Sequence, residues 1–281
     1  MIIGLTFFLF CSLGQFDRPM DRNAIKELEK QGFSTSAEDM ERAVEKAFSD
    51  SDVKLFESVC LCFRNDWERD KHADKMMALY ASTQDEKFKE SIFSSLIVEM
   101  SQVRRIVQSR HGCLFYDRAI ELLCVGPYPK KINTAWDDMP FTGVIYTSIG
   151  VYYLSKSLDF DPSPIYIKAL LTLPVNGNYV HCVLRHLKDY GKIPAAAAYY
   201  IYERHKDDEK EEYLKPYKEL AHPYLSGEKS TEKLSLDAYS KQLDGEIEEC
   251  RKKIHERFQD APPAVYVEEG EPVYMDPEPV I

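Results

Sequence analysis

From Thr35 to Met100, apolar residues recur at helical spacing in four successive stretches, each followed by a polar turn. Met40, Ala43, Val44, Ala47 and Phe48 stand at i, i+3, i+4, i+7 and i+8, which lines one face of a helix. Thr35 and Glu38 precede that stripe with the spacing of a capping box: a hydroxyl accepts from a free N–H of the first turn while the carboxylate reaches back. Ser49, Asp50, Ser51 and Asp52 end the helix, because their side chains offer the backbone competing local hydrogen bonds and can cap the next helix. Phe56, Val59, Cys60 and Phe63 restart the spacing. Ala73, Met76, Met77 and Tyr80 repeat it, and Ile92, Phe93, Leu96, Ile97 and Met100 close the series. None of these short helices hides its stripe alone, so the pattern predicts stacked helix pairs.

An internal similarity points the same way. A shift of 33 lays Lys54, Leu55, Phe56, Glu57, Ser58 and Val59 over Lys87, Phe88, Lys89, Glu90, Ser91 and Ile92, with Asp52 over Asp85. A shift of 35 instead aligns Asp50, Val53 and Lys54 with Asp85, Phe88 and Lys89. Both offsets lie in the range of helical repeats. The second register resembles HEAT repeats, whose inter-helix turn carries an Asp, then an apolar residue, then a Lys or Arg opening the second helix. Over residues 35–100 that resemblance implies an all-α fold of stacked antiparallel helix pairs, a right-handed α-solenoid. It also implies a protein-binding or scaffolding role, since helical solenoids expose a long surface and carry no catalytic apparatus of their own.

The helical pattern continues from Val103 to Cys124 with a break at His111 and Gly112, and Phe115, Ala119, Leu122 and Leu123 form the later stripe. Gly126, Pro127, Tyr128 and Pro129 end it. The segment from there to Met139 lacks apolar periodicity and reads as a long connection anchored by Trp136, a boundary between two halves. Phe141 to Leu154 admits two readings, one helix or two short strands around Ser148, Ile149 and Gly150; the lack of a clear turn favours the helix.

Pro162 and Pro164 open a short helix that Pro174 closes, since proline is tolerated in a first turn where its missing N–H has no partner to lose. Asn178 caps the next helix, Val180, Val183, Leu184 and Leu187 face inward, and Gly191 ends it. Pro194 starts a helix whose alanines, Ala195 to Ala198, let a neighbour approach closely. Asp207 to Glu212 is a solvated turn and helix start. Leu236, Tyr239, Leu243, Ile247, Cys250, Ile254 and Phe258 mark a long final helix, expected along the end of the stack as its cap.

Charge sharpens the picture. Of 281 residues 36 are basic and 47 acidic, a formal balance of -11, which argues against nucleic acid as a partner because phosphates need a basic stripe. Six of the acidic residues, Asp260, Glu268, Glu269, Glu271, Asp276 and Glu278, fall in the last 22 positions with no base among them. Pro262, Pro263, Pro272, Pro277 and Pro279 interrupt the same segment, so residues 261–281 are expected to be a disordered acidic tail.

At the other end, residues 1–14 read as a signal peptide: Ile2 to Leu13 is apolar but too short to span a bilayer, and Ser12, Leu13 and Gly14 place small residues near a cleavage point. The expected mature chain starts at Gln15, is periplasmic or secreted, and holds no stable membrane span. Helical repeats would fill residues 15–126 and a less regular helical region 127–260.

Candidate chemistry is sparse. Cys60, Cys62, Cys113, Cys124, Cys182 and Cys250 remain after signal removal, an even number that an oxidising compartment could pair. Cys60 and Cys62 sit about 200° apart on one helix and cannot share a partner face, so buried free thiols are the favoured reading. His181 and His186 are five residues apart, about 140° around the axis, whereas paired helical metal ligands want three or four. His205, beside Arg204, is the residue able to approach His186 from the next helix.

No hydrolase, Walker or dinucleotide motif occurs, so no catalytic, cofactor or metal residues are assigned and the expectation is a non-enzymatic binding protein. The rival is an α-helical enzyme with a histidine site. Tyr146, Tyr152, Tyr153, Tyr166, Tyr179, Tyr190, Tyr199, Tyr200 and Tyr202 crowd the second half, as a partner groove or as packing. Tyr266 and Tyr274 lie in short acidic motifs that phosphotyrosine readers would meet only in a cytosol, a role opposed to export.

Overall fold

The structure, a computed structural model, describes residues 20–63, 66–96, 111–125, 142–173, 180–232 and 234–259. Among them all regular structure is helical: α1 (Arg22–Lys30), α2 (Ala37–Asp50), α3 (Val53–Cys62), α4 (Asp66–Ser82), α5 (Glu86–Leu96), α6 (Gly112–Val125), α7 (Thr142–Leu158), α8 (Ser163–Thr172), α9 (Val180–Tyr190), α10 (Ala195–His205), α11 (Glu211–Leu225) and α12 (Leu236–Gln259). The stretch with two readings, 141–154, is therefore helix from Thr142 onward. The expected signal peptide, the Trp136 connection, the cap Asn178 and the acidic tail lie outside the described residues.

Local chemistry sets the helix ends. Asp21 caps α1 by accepting from the N–H groups of Asn23 and Ala24, and its Ala24 and Leu28 face the core. The helix falls within the expected helical region 15–126, where the sequence pattern marks no separate stripe for it. Gly32 follows at φ +82, the left-handed position that a helix C-terminus wants, and Phe33 N–H returns to Leu28 O. The capping box of α2 sits one residue later than Thr35 and Glu38 suggest: Ser36 Oγ accepts from Asp39 N–H, and the Asp39 carboxylate reaches back to Ser34 N–H at 2.9 Å. Ser51 turns left-handed at φ 52, and Asp52 Oδ1 accepts from Leu55 N–H to open α3.

The offset of 33 residues has a structural meaning. Met40, Ala43, Val44 and Ala47 of α2 correspond to Ala73, Met76, Met77 and Tyr80 of α4; Leu55, Val59, Cys60 and Phe63 correspond to Phe88, Ile92, Phe93 and Leu96, and all are buried. Asp52 and Asp85 are matching caps, since Asp85 Oδ1 accepts from Lys87 and Phe88 N–H. Asp50, by contrast, ends α2 and pairs with Lys46 at 2.5 Å, so the offset of 35 sets a helix end against a helix start.

The two helix pairs join through α3, which packs against α1, α2 and α5. That enclosure explains how Cys60 and Cys62, on opposite sides of α3, are both buried. Phe56 and Phe88 meet edge to face at 5.4 Å in the shared core.

From α6 onward each helix touches its neighbour or the next but one. One row runs α6, α8, α10 and another α7, α9, α11, with α8 against α9 and α10 against α11 as cross-links. The α10–α11 pair packs closely, and α10 buries Ala197 and Ala198, side chains small enough to let a neighbouring helix approach. Gly191 at φ +66 turns the chain between α9 and α10. Phe93 of α5 and Phe115 of α6, 4.7 Å apart, bridge the earlier helices to the later ones.

The last helix departs from this order. Rather than capping the stack, α12 runs back across one row: Tyr239 stacks on Tyr200 of α10, Asp244 reaches Lys168 of α8, and Phe258 packs on Tyr116 of α6. Its buried residues, Leu243, Ile247, Cys250, Ile254 and Phe258, form one narrow stripe that the row's apolar face covers. No helix among the described residues is long and apolar enough to cross a membrane.

Candidate functional site

The face that α12 covers is where charged and polar side chains converge. Lys168 sits in an otherwise apolar turn of α8 and is 9% exposed. Its Nζ donates to Ser240 Oγ and Asp244 Oδ1, each at 2.7 Å, both on α12. One helical turn of α6 supplies Tyr116 and Asp117. Asp117 Oδ2 lies 2.6 Å from His255 Nε2 of α12, while its Oδ1 is buried with no hydrogen-bond partner.

The seam is under-satisfied. Six buried side-chain polar atoms stand without a recorded hydrogen bond among the described residues, and four belong here: the hydroxyls of Tyr116 and Tyr200, Asp117 Oδ1 and Arg251 Nε. Full burial pushes the Tyr116 phenol far above its ordinary pKa, so it stays a neutral donor lacking an acceptor. Among the described residues none of these four atoms finds a partner, so the seam is held without hydrogen bonds of theirs. Sulfur contacts do little to offset this: Cys250 Sγ lies 3.5 Å from Asp161 O, and Cys124 Sγ 3.9 Å from Ile165 O.

The histidines do not come together. His181 stacks on Tyr213 of α11 at 5.3 Å. His205 is fully buried and donates from Nε2 to Leu170 O of α8 at 2.8 Å, so it turns to α8 rather than to His186. Its Nδ1 is buried without a partner, and burial holds its pKa below the usual value, so the ring is neutral.

His186 forms the second polar cluster. Its Nδ1 is 2.8 Å from Ser148 Oγ on α7, and Cys182 lies beside the same serine. Burial, with Arg185 beside it, pushes His186 down to about 4, and burial pushes Cys182 up to about 12. Neutral imidazole, neutral thiol and hydroxyl are thus the species present near neutral pH. Ser148 is fully buried and the Tyr152 ring lies flat over the imidazole at 4.8 Å, so the serine Oγ faces protein on all sides. That arrangement ties α7 to α9.

The tyrosines act in the same way. Tyr166 OH donates to Ser148 O at 2.8 Å, Tyr190 OH donates to Tyr152 O at 3.2 Å and lies within hydrogen-bond reach of Ser155 Oγ, and Tyr217 OH donates to Leu184 O. A helix carbonyl has a second lone pair, so each ring buries its body and satisfies its tip on the neighbouring helix without breaking a backbone bond. Tyr199, Tyr200, Tyr224 and Tyr239 form a separate aromatic group where α10, α11 and the start of α12 meet. The Tyr146 side chain and Tyr179, Tyr266 and Tyr274 lie outside the described residues.

Among the described residues none of the six expected thiols is in a disulfide, and no group of three or more metal-ligating side chains occurs. A recess of about 380 Å³ lies over α2, lined by Phe33, Glu41, Arg42, Glu45 and Lys46, an open charged surface rather than an enclosed cleft. Sequence reasoning passed over Lys168, Asp117, Asp244 and His255. The available signal was Lys168 itself, the lone charge between Ile165, Tyr166 and Ile167 on one side and Ala169, Leu170 and Leu171 on the other. No protein-family model, curated protein or solved structure matches this chain.

Proposed function

We propose that this chain is an exported, non-enzymatic helical-repeat protein, a scaffold that binds other proteins on the face built by α6, α8 and α10. The observation that carries the reading is the course of α12: that face already holds an amphipathic helix by an apolar stripe and a few charged contacts, which is how helix-binding grooves work. The repeat-like pairing of α2 and α3 with α4 and α5 supports a ladder in which each rung is buried by its neighbours. The polar groups at His186 and His205 support it too, since both are turned to joining helices.

The test is residue-specific photo-crosslinking in the full chain, in cells that export it. Crosslinkers go at exposed positions beside the α12 seam, such as Asp237, Lys241 and Glu248, and on α2 as a comparison, for instance Lys46. Protein adducts at the seam positions and not on α2, on a mature chain that begins at Gln15, are the expected result. Stoichiometric zinc or iron lost on changing His181 or His186 would overturn the scaffold, as would a chain retained with its first fourteen residues in the cytosol for the export reading.

A further inference from the structure

We infer that the α6, α8 and α10 face is a groove for a partner protein's amphipathic helix, and that α12 is a displaceable stand-in for it. The inference rests on the scaffold reading and names the partner's chemistry. Three observations carry it. First, α12 is attached by little: five of its 24 residues are buried, and Asp244 leaves 61% of its side chain in water even while it holds Lys168. Second, the segment between α11 and α12 is exposed and polar from Ser226 to Glu232, so it ties α12 to the row without packing it there. Third, among the described residues four of the six buried polar atoms without a hydrogen-bond partner lie along this seam, on the row or on α12 itself.

The groove's own groups define the ligand. Apolar residues are needed at the spacing of Leu243, Ile247, Cys250, Ile254 and Phe258, four, three, four and four apart. A carboxylate fits after the first of them, where Asp244 meets Lys168, and a basic or donor side chain fits after the fourth, where His255 meets Asp117. A partner helix of that pattern which also offers an acceptor to Tyr116 or a donor to Asp117 Oδ1 gains hydrogen bonds that α12 leaves unmade. The tether gives α12 an effective concentration on the order of millimolar, so a free helix competes only when it binds better or when α12 is loosened.

The probe is a fluorescent peptide spanning Leu236 to Gln259, titrated into the full chain and followed by anisotropy. A chain carrying Leu243→Asp and Ile254→Asp should bind it at least about tenfold tighter than the unaltered chain, because the tethered competitor is gone. Adding Lys168→Asp to that chain should abolish binding, and a peptide carrying Asp244→Lys should restore it. Equal binding to loosened and unaltered chains, or indifference to Lys168→Asp, overturns the groove.

A second form guards against a loosened chain that fails to fold. A protease site placed within residues 227–232 of the otherwise unaltered protein is cut, and excess labelled peptide is added. Exchange of the released helix for the peptide, with circular dichroism of the remainder unchanged, supports the inference. Unfolding of the remainder as the helix leaves, or a helix that never exchanges, shows α12 to be a fixed part of the core and overturns it. The two proposals fail separately: peptide exchange without any crosslinked partner removes the scaffold, and partners crosslinked elsewhere with no exchange remove the groove alone.

Discussion

Lys168 of α8 and Asp244 of α12 meet at 2.7 Å, the lysine side chain 11% exposed and the aspartate 61%. The pair is lopsided, and its energetics should be too. Asp244→Ala removes a mostly hydrated charge and should cost no more than about 1 kcal/mol in urea unfolding. Lys168→Ala also loses the stem's packing and the Ser240 contact and should cost about 2 kcal/mol, whereas Lys168→Met, which fills the space without a charge to desolvate, should be neutral or stabilising. A Lys168→Met variant as unstable as Lys168→Ala would mean that the ion pair itself holds α12.

The caps separate the two repeat registers. Asp52→Ala and Asp85→Ala each strip a helix start of its acceptor and should each lower stability by about 1 kcal/mol. Asp50→Ala touches a helix end and an exposed pair with Lys46, and should stay within about 0.5 kcal/mol. Thermal or urea unfolding of the three variants decides it; an Asp50 effect as large as the other two would favour the offset of 35.

Acid should loosen the α7–α9 joint. His186 has its pKa lowered from 6.5 to about 4 in the folded chain, so between those values the unfolded chain binds the extra proton. Stability from this group is therefore whole above pH 6.5 and falls as the pH drops towards 4, by up to about 3 kcal/mol. His205, lowered by burial as well, acts with the same sign. His186→Gln should flatten the slope of unfolding free energy against pH in that window. An unchanged slope would place the proton elsewhere.

Thiol reactivity should follow burial. Cys62 and Cys124 are pushed up to about 12 by burial and are hardly reached by solvent, so both should resist iodoacetamide at pH 8 in the folded chain. Cys113, only half-buried at the start of α6, should be alkylated first, as read by peptide mass spectrometry over time. Early labelling of Cys124 would report that α12 lifts off its row readily, because Cys124 lies close to Arg251 of that helix.

Much of this was legible in the chain itself. The stripes of α2 to α6, the turn at Ser51 and Asp52 and the close at Gly191 depend on side chains within a few residues of one another, and periodicity reports those contacts directly. The offset of 33 was visible over one helix. That it covers a pair of helices emerged only with burial, because Met40 over Ala73 and Ala47 over Tyr80 match in position and not in identity. Helix α1 went unmarked since its two buried apolar residues, Ala24 and Leu28, with Ile25 beside them, make too short a pattern to stand out.

The all-helical class and most of the helix stripes were thus legible in the sequence alone, through hydrogen bonds and contacts that close within a turn or two. Tertiary structure decided where each stripe is spent. Asp117 and His255 lie 138 residues apart and are joined at 2.6 Å, and Lys168 finds Asp244 only because α12 turns back along the row it could have capped. An amphipathic stripe states that a helix must be covered and says nothing of by what, since apolar contact is nondirectional and many faces satisfy it equally; the few charged pairs that choose among those faces exist only once the chain has folded.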